Sequence, residues 1–271
     1  NDMKTFNGGA AANVALVGAN LGLKTSLVSA VGGDFKKSNY YEIMESLDVD
    51  TDSLIIVPGE TSPTAFVLTD ENDDQISYFY WGAAKEFASS KVPKNAISNV
   101  QAVHLATGDP HFNWKCSEEA KRQELLVSFD PGQDLGMYDT DKLRDVITNT
   151  TILFGNHYEI ERILESLEVD LDGLREIGPK IIVKTCGANG SEIYSNNDKI
   201  KVDAIVREAV DPTGAGDSYR AGFLSRFLNG ESLEQSAKFA SSVSSFIVEE
   251  QGCQTNMPTF DDAFDRMSEF Y

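Results

Sequence analysis

The sequence predicts an α/β protein whose mainly parallel β-sheet is flanked by helices on both faces, in a doubly wound arrangement. Two observations lead to this class. Short apolar runs bounded by turn residues recur along the chain, and stretches with a helical pattern separate them. Buried strands that alternate with helices are typical of a parallel sheet covered on both faces. The 271 residues show no repeat and no low-complexity linker, and we predict that residues 1–271 form a single domain.

The elements follow in chain order. Strands are predicted at 25–32, 102–108, 125–132, 151–156 and 180–187. Helices are predicted at 8–22, 39–47, 139–150, 157–167, 216–230 and 232–250. A parallel sheet whose first helix starts at residue 8 requires a strand before it, and Asn1 begins in mid-pattern. We therefore expect an N-terminal strand to be missing from this chain.

One segment interrupts the alternation of strands and helices. The stretch "TAFVLTDENDDQISYFYWG" (64–82) contains two strand-like runs around the polar turn "DENDD", which is the signature of a β-hairpin. We predict a small β lid over the active site at about residues 61–82. The alternative is a hairpin that extends an edge of the sheet.

Composition limits the classes of partner. The net charge is -20, from 43 acidic and 23 basic residues, so nucleic acid is not an expected partner. No stretch approaches the roughly 20 apolar residues of a membrane span, and no charged-then-apolar leader occurs, so we expect a cytoplasmic protein without a membrane partner. The three cysteines form no CxxC pair and the three histidines no HExxH motif, which argues against zinc and disulfides. Formation of a homodimer is left open.

The stretch "DPTGAGDSYRAGF" (211–223) places two glycines and an acid where a strand leads into a helix. The amides of Gly214, Ala215, Gly216 and Asp217 can point outward at the positive end of the helix, which makes a site for an anion such as phosphate. Asp217 can then be a base that accepts a proton while these amides hold a phosphoryl group in transfer. An acidic cap favoured by the helix dipole explains Asp217 equally well.

Five ordered motifs carry a family resemblance that covers essentially the whole chain. "DPTGAGDSYRAGF" and "GGAAANVALVGANLG" (8–22) resemble the C- and N-terminal signatures of the ribokinase, or PfkB, family of sugar and nucleoside kinases. The stretches "NHYE" (156–159), "VKTCGANGSEIY" (183–194) and "EEQGCQTNMP" (249–258) resemble three further family elements, in the family's order. Within the family, the stretches at 78–87, 104–113, 128–135 and 252–256 look most like the archaeal broad-specificity nucleoside kinases. The resemblance implies a ribokinase-like fold and ATP- and Mg²⁺-dependent transfer of the γ-phosphate to the 5′-hydroxyl of a nucleoside.

The same resemblance implies roles for individual residues. Asp217 would be the catalytic base, with Gly214, Ala215 and Gly216 forming the anion hole. Asn156 and Glu159 would hold Mg²⁺ through water near the ATP phosphates, although the same spacing fits a capping box.

Further residues would contact the two substrates and a second cation. Gly9 and Asn13 resemble the positions that grip sugar hydroxyls, and Asp109 could reach the substrate or simply form an Asp-Pro turn. Thr185 and Gly187 would lie at the nucleotide, while Asp211 and Gly252 resemble a monovalent-cation loop that would take K⁺. Ribokinases typically carry a lysine where this chain has Ala10, which argues against free ribose as the acceptor.

Two other functions compete with nucleoside kinase. The first is a sugar kinase of the same family, fructokinase- or ribokinase-like. The second is a non-catalytic nucleoside- or nucleotide-binding protein, which would have no need for the acid at Asp217. The aromatic residues around Trp81 could stack on a nucleobase, which a hexose does not require, or could equally form the core of the lid.

Overall fold

The computed structural model describes residues 3–69, 75–195 and 198–271. The helices are α1 (Ala10–Asn20), α2 (Asn39–Ser46), α3 (Lys94–Ile97), α4 (Pro110–Arg122), α5 (Thr140–Asn149), α6 (His157–Leu167), α7 (Leu171–Ile177), α8 (Ala215–Phe227), α9 (Leu233–Ile247) and α10 (Phe260–Phe270). The strands are β1 (Ala30–Gly32), β2 (Ile55–Val57), β3 (Thr64–Thr69), β4 (Gln75–Tyr80), β5 (Ala102–Leu105), β6 (Leu126–Phe129), β7 (Ile152–Asn156), β8 (Ile181–Thr185), β9 (Ser191–Ser195) and β10 (Asp198–Val202). Within these ranges, no helix is long and apolar enough to span a membrane.

Six strands form the central sheet in the order β10-β9-β8-β7-β6-β5. Strands β5 to β8 run parallel, and β9 and β10 continue the sheet antiparallel. The core strands are mostly apolar because both faces of the sheet are covered: Ile152, Leu153 and Phe154 of β7 are all fully buried. Leu153 packs with α4, α5 and α6 on one face, and Phe154 packs with α8 and α9 on the other. The predicted doubly wound, mainly parallel fold is confirmed.

The parallel strands bring their carboxyl ends to one edge of the sheet. At this edge, β6 is followed by Asp130, β7 ends at Asn156 and β8 ends at Thr185. Ligands of open α/β sheets bind in the crevice outside such carboxyl ends. The fold therefore assembles candidate site residues that lie far apart in the sequence.

A second, two-stranded sheet pairs β1 with β2 in parallel. The strand predicted at 25–32 is wrong over most of its length, because only Ala30–Gly32 pairs continuously. Ser26 makes a single isolated bridge, to Asp50, and the backbone between the two pairings is not regular. Helix α1 starts at Ala10, two residues later than predicted, because Gly9 has φ 107°, outside the helical region.

The predicted hairpin is present as two antiparallel strands. Strands β3 and β4 pair from Thr64 opposite Tyr80 onward, and they form a sheet separate from the central one. The polar turn "DENDD" (70–74) lies outside the described residues. The hairpin exposes several large apolar side chains: Phe66, Val67, Leu68, Ile76, Tyr78, Phe79 and Tyr80.

Candidate active site

The start of α8 forms the centre of the site. Gly214 is its N-cap residue and has φ 82°, in the left-handed region that favours glycine. A Cβ at this position would lie 2.6 Å from the Cβ of Cys253, so the loop at 253 also requires glycine here. No side chain of the described residues caps this helix, in contrast to α9, where Ser232 does so. First-turn amides that have no backbone partner are therefore available to an anion.

The amides of this turn are not equivalent. The Ala215 amide donates to the carbonyl of Pro212 at 3.2 Å, so Ala215 contributes to the turn rather than to the predicted anion hole. The amides of Gly216 and Asp217 have no such partner among the described residues. Gly216 and Asp217 are thus the donors that this turn offers to a phosphoryl group.

Asp217 lies on the first turn of α8, and its carboxylate contacts a side chain of α1. Asn13, buried on α1, donates its side-chain amide to Oδ2 of Asp217 at 2.7 Å. Gln254 in turn donates to Oδ1 of Asn13 at 2.7 Å, which sets the orientation of the Asn13 amide. The side chain of Asp217 is therefore held by α1 and the loop at Gln254, and not by first-turn amides as a capping acid would be.

The environment of Asp217 suits a general base. Burial raises the pKa of its carboxyl to about 6, against the opposing effects of the Arg220 charge and the Asn13 hydrogen bond. The negative charges of Asp130 and Glu159 raise the same pKa further. A base with a pKa close to the working pH is ionised in most molecules and still accepts a proton readily.

Two residues that the sequence predictions missed lie beside Asp217. Arg220 and Asp130 form a buried ion pair, and the guanidinium Nη1 lies 3.9 Å from Oδ1 of Asp217. The position of Arg220, three residues after Asp217 on a helix, could have indicated the contact between them. Its contact with Asp130 depends on the fold.

The "NHYE" element forms the capping box that its spacing allows. Oδ1 of Asn156 accepts from the Glu159 amide at 2.9 Å, and Oε2 of Glu159 accepts from the Asn156 amide at 2.7 Å. Burial and the nearby Asp130 charge raise the pKa of Glu159. The described residues contain no cluster of three metal-ligating side chains. Oxygen donors in a field of excess negative charge fit Mg²⁺ held through water, since this ion keeps several of its waters.

Two of the predicted substrate residues, Gly9 and Asn13, lie at the start of α1 near Asp217. Gly9 directly precedes α1, one turn before Asn13, and its carbonyl accepts a hydrogen bond from the backbone amide of Asn13 at 2.7 Å. Tyr40 donates its hydroxyl to the Gly8 carbonyl at 3.0 Å and accepts from Gln254, which fixes this glycine loop beside the site. The structure thus brings Gly9, Asn13 and Asp217 together.

Asp109 has a structural contact of its own. Its Oδ1 accepts from the Phe112 amide at 2.8 Å, so it caps α4, whose first residue is Pro110. Asp109 and Pro110 therefore begin a helix, where the alternative prediction placed an Asp-Pro turn. Contact of Asp109 with a substrate stays a prediction.

The residues predicted for the nucleotide lie at the end of β8 and just after it, and those predicted for K⁺ lie in the loops before α8 and after α9. Gly187 has φ 55°, and apart from its chain neighbours no described residue has an atom within 4 Å of the place that a Cβ would take, so the backbone is open to a ligand. Thr185 ends β8, and its hydroxyl lies 3.5 Å from the Gly155 carbonyl. Asp211 accepts from the amides of Thr213 at 2.9 Å and Gly252 at 3.0 Å, so it joins the loop before α8 to the C-terminal loop. K⁺ binding stays a prediction.

The fold and the site together define a kinase with a ribokinase-like architecture. The chain matches the model of the pfkB family of carbohydrate kinases over residues 1–260, and it belongs to this family. It is 57% identical to the nucleoside kinase of Methanothermobacter thermautotrophicus over 98% of this chain and 86% of the relative. It is 43% identical to the nucleoside kinase of Methanocaldococcus jannaschii over 97% of this chain and 86% of the relative.

A comparison with solved structures leads to the same family. The crystal structure of the Methanocaldococcus jannaschii nucleoside kinase, an archaeal member of the ribokinase family, superposes with a TM-score of 0.94 at 42% identity. The match covers 98% of this chain and 88% of that structure. The predicted family, the resemblance to archaeal nucleoside kinases and the assignment as a kinase are confirmed.

Proposed function

We propose that the protein is an ATP- and Mg²⁺-dependent kinase that transfers the γ-phosphate of ATP to the 5′-hydroxyl of a nucleoside. The observation that carries this proposal is the Asp217 carboxylate, buried and held by Asn13 at the start of α8. Asp217 directly follows Gly216, whose backbone amide has no partner among the described residues. The nucleoside as acceptor is supported by two relatives, 57% and 43% identical, that are named nucleoside kinases.

The reaction needs one base and a cradle for the phosphoryl group. The acceptor oxygen forms a bond to the γ-phosphorus while the bond from that phosphorus to the β,γ-bridging oxygen breaks. The hydroxyl proton moves to the carboxylate of Asp217, late in a loose transition state. The amides of Gly216 and Asp217 and the positive end of α8 stabilise the charge on the transferring oxygens.

Asn156 and Glu159 are the residues proposed to hold Mg²⁺ through water. A bound Mg²⁺ would neutralise part of the charge on the ATP phosphates. The Glu159 carboxylate has more acceptor capacity than its single bond in the capping box uses. Capping and cation binding are therefore compatible at this residue.

The remaining site residues divide between acceptor and donor. We assign Gly9, Asn13 and Asp109 to the nucleoside. Asn13 donates to the carboxylate proposed as the base, and Gly9 lies one turn before Asn13 on α1. We assign Thr185 and the open backbone at Gly187 to ATP.

We also propose that residues 1–271 work as a single kinase domain with the β3–β4 hairpin as its lid. The hairpin has one face with Phe66, Tyr78 and Tyr80, all of them exposed, and a second face with the exposed side chains of Val67 and Phe79. Apolar surface on both faces of a two-stranded sheet calls for two covering surfaces. The bound substrate and a second copy of the chain would supply them, which predicts a homodimer in solution.

A screen of acceptors tests the proposed function. Nucleosides, ribose and fructose are compared by kcat/KM, with ATP consumption as the readout and Asp217→Asn as the control for contaminating kinases. We expect nucleosides to exceed both sugars by a wide margin. A hexose that outperforms every nucleoside would indicate a sugar kinase, and nucleoside binding without ATP turnover would indicate a non-catalytic binding protein.

A further inference from the structure

A buried ion pair lies next to Asp217. Arg220 lies one turn after Asp217 on α8, and its guanidinium contacts the Asp130 carboxylate at the end of β6. The side chains of Arg220 and Asp130 are 8% and 6% exposed. The same guanidinium reaches to 3.9 Å from Asp217, so it lies between acids from two different elements.

The charges around Asp217 make Arg220 exceptional. The ionisable groups that interact with the Asp217 carboxylate come from several elements: Arg220, Asp130, Glu159, Tyr40 and Cys253. Of these groups, Arg220 alone is positively charged at neutral pH. His104 on β5 also faces Arg220, but burial lowers the pKa of His104 to about 3, so it is neutral. Among these described groups, one guanidinium therefore supplies the positive charge that acts on Asp217.

Stability alone does not explain this ion pair. Removing two charges from water costs several kcal/mol, and apolar residues of similar volume are often as stabilising as a buried pair. The surrounding backbone is also adapted to Arg220. A Cβ at Gly216 would collide with its guanidinium, so the glycine that offers an amide to the phosphoryl group also leaves room for this side chain.

We propose that Arg220 is a positioning residue for the phosphoryl transfer, which holds the Asp217 carboxylate in place from α8 while Asp130 fixes the guanidinium. This inference rests on the proposed function, because it assigns Arg220 a part in that reaction. Asp130 and Asp217 share one cation. Loss of Arg220 therefore leaves two buried acids uncompensated, whereas loss of the Asp130 charge leaves the guanidinium to Asp217 alone.

Loss of Arg220 and loss of the Asp130 charge should shift the acid limb of the pH profile in opposite directions. Without Arg220, the proton-bound form of Asp217 is favoured, so the acid limb of kcat/KM moves to higher pH by about 1 unit. Without the Asp130 charge, a repulsion is removed and the guanidinium is no longer shared, so the acid limb moves to lower pH. A role in packing alone would move neither limb.

The experiment compares pH profiles of the wild type, Arg220→Gln and Asp130→Asn. The control is Arg226→Gln, which breaks a 2.7 Å ion pair with Glu231 at the far end of the same helix. We expect the acid limbs of Arg220→Gln and Asp130→Asn to be displaced in opposite directions from that of the wild type. The kcat of Arg220→Gln should be at least about tenfold lower, with little change in KM. The control should keep the wild-type profile. Superimposable limbs, or shifts of the same sign, would overturn the proposal.

A double variant covers the case in which Arg220→Gln does not fold. Asp130→Asn combined with Arg220→Met removes both charges of the ion pair, so neither partner is left buried without the other. Of the two acids that share Arg220, only Asp217 then remains charged, and Asn13 still donates to it. We expect this protein to unfold near the wild-type urea midpoint while its kcat stays low. Recovery of wild-type kcat would show that Arg220 serves the fold only. A wild-type protein that phosphorylates no nucleoside would instead refute the proposed function and leave the ion pair itself unchallenged.

Discussion

Replacement of Asp217 by Asn should make the protein more stable and almost inactive. Burial raises the pKa of this carboxyl from 3.8 to about 6, so the charged form is disfavoured in the folded state. At 1.36 kcal/mol per pKa unit, this rise corresponds to a cost of about 3 kcal/mol once Asp217 is fully ionised. Asn keeps an acceptor for the Asn13 amide, and Arg220 keeps Asp130 as its partner. We expect Asp217→Asn to gain about 1–3 kcal/mol at pH 8 and to lose about 10²–10⁴ in kcat.

The sign of the pH dependence makes this prediction specific. Because the folded pKa of Asp217 lies above the unfolded value, the wild type loses stability as pH rises through the interval from about 4 to 6. The Asn variant has no such loss, so its advantage should grow over that interval and stay constant above pH 7. Urea unfolding of both proteins between pH 5 and pH 8 measures the difference. A variant that is less stable by an amount independent of pH would refute the reasoning, and wild-type turnover would remove Asp217 from the mechanism.

Three further predictions follow from the same site. Gly214 and Gly230 both have left-handed backbone, but only an Ala at 214 would also collide with Cys253. The free energy of unfolding by urea should therefore fall by at least about 1 kcal/mol more in Gly214→Ala than in Gly230→Ala. Equal losses would mean that the Cys253 contact relaxes freely. Gln at Glu159 keeps the capping box and removes a charge, so Glu159→Gln should raise the Mg²⁺ concentration for half-maximal rate; superimposable titrations would limit Glu159 to its cap. The wild-type kcat/KM should fall below about pH 6 as Asp217 is protonated, and a profile flat to pH 5 would contradict the assigned pKa.

The central sheet could be predicted because its strands are buried on both faces. Strands β6, β7 and β8 are near-continuous apolar runs, which the sequence shows without knowledge of their neighbours. The edge strand Asp198–Val202 was not predicted, since most of its residues are charged or exposed and it depends on pairing with β9. Helix α4 was missed because Asp109 and Pro110 are equally compatible with a turn.

The candidate site was predictable where a local motif carries it. The glycines before α8 and the acid after them form one continuous stretch, so Gly216 and Asp217 were identified together. Asp130 contacts Arg220 and Gln254 contacts Asn13, so both act on Asp217 through another residue, and no local pattern links either of them to it. The different fate of the Ala215 amide depends on the tightness of the turn at Pro212, which composition does not encode.

The position of the transferred phosphate tests the central claim most directly. A nucleoside and its 5′-deoxy counterpart, which lacks only the acceptor hydroxyl, are each incubated with ATP labelled in the γ-phosphate, and the products are separated and identified by NMR. We predict that label appears only with the complete nucleoside, as the 5′-monophosphate, and that Asp217→Asn forms this product about 10²–10⁴ times more slowly. Label on the 2′- or 3′-oxygen, or equal labelling of the 5′-deoxynucleoside, would contradict the account.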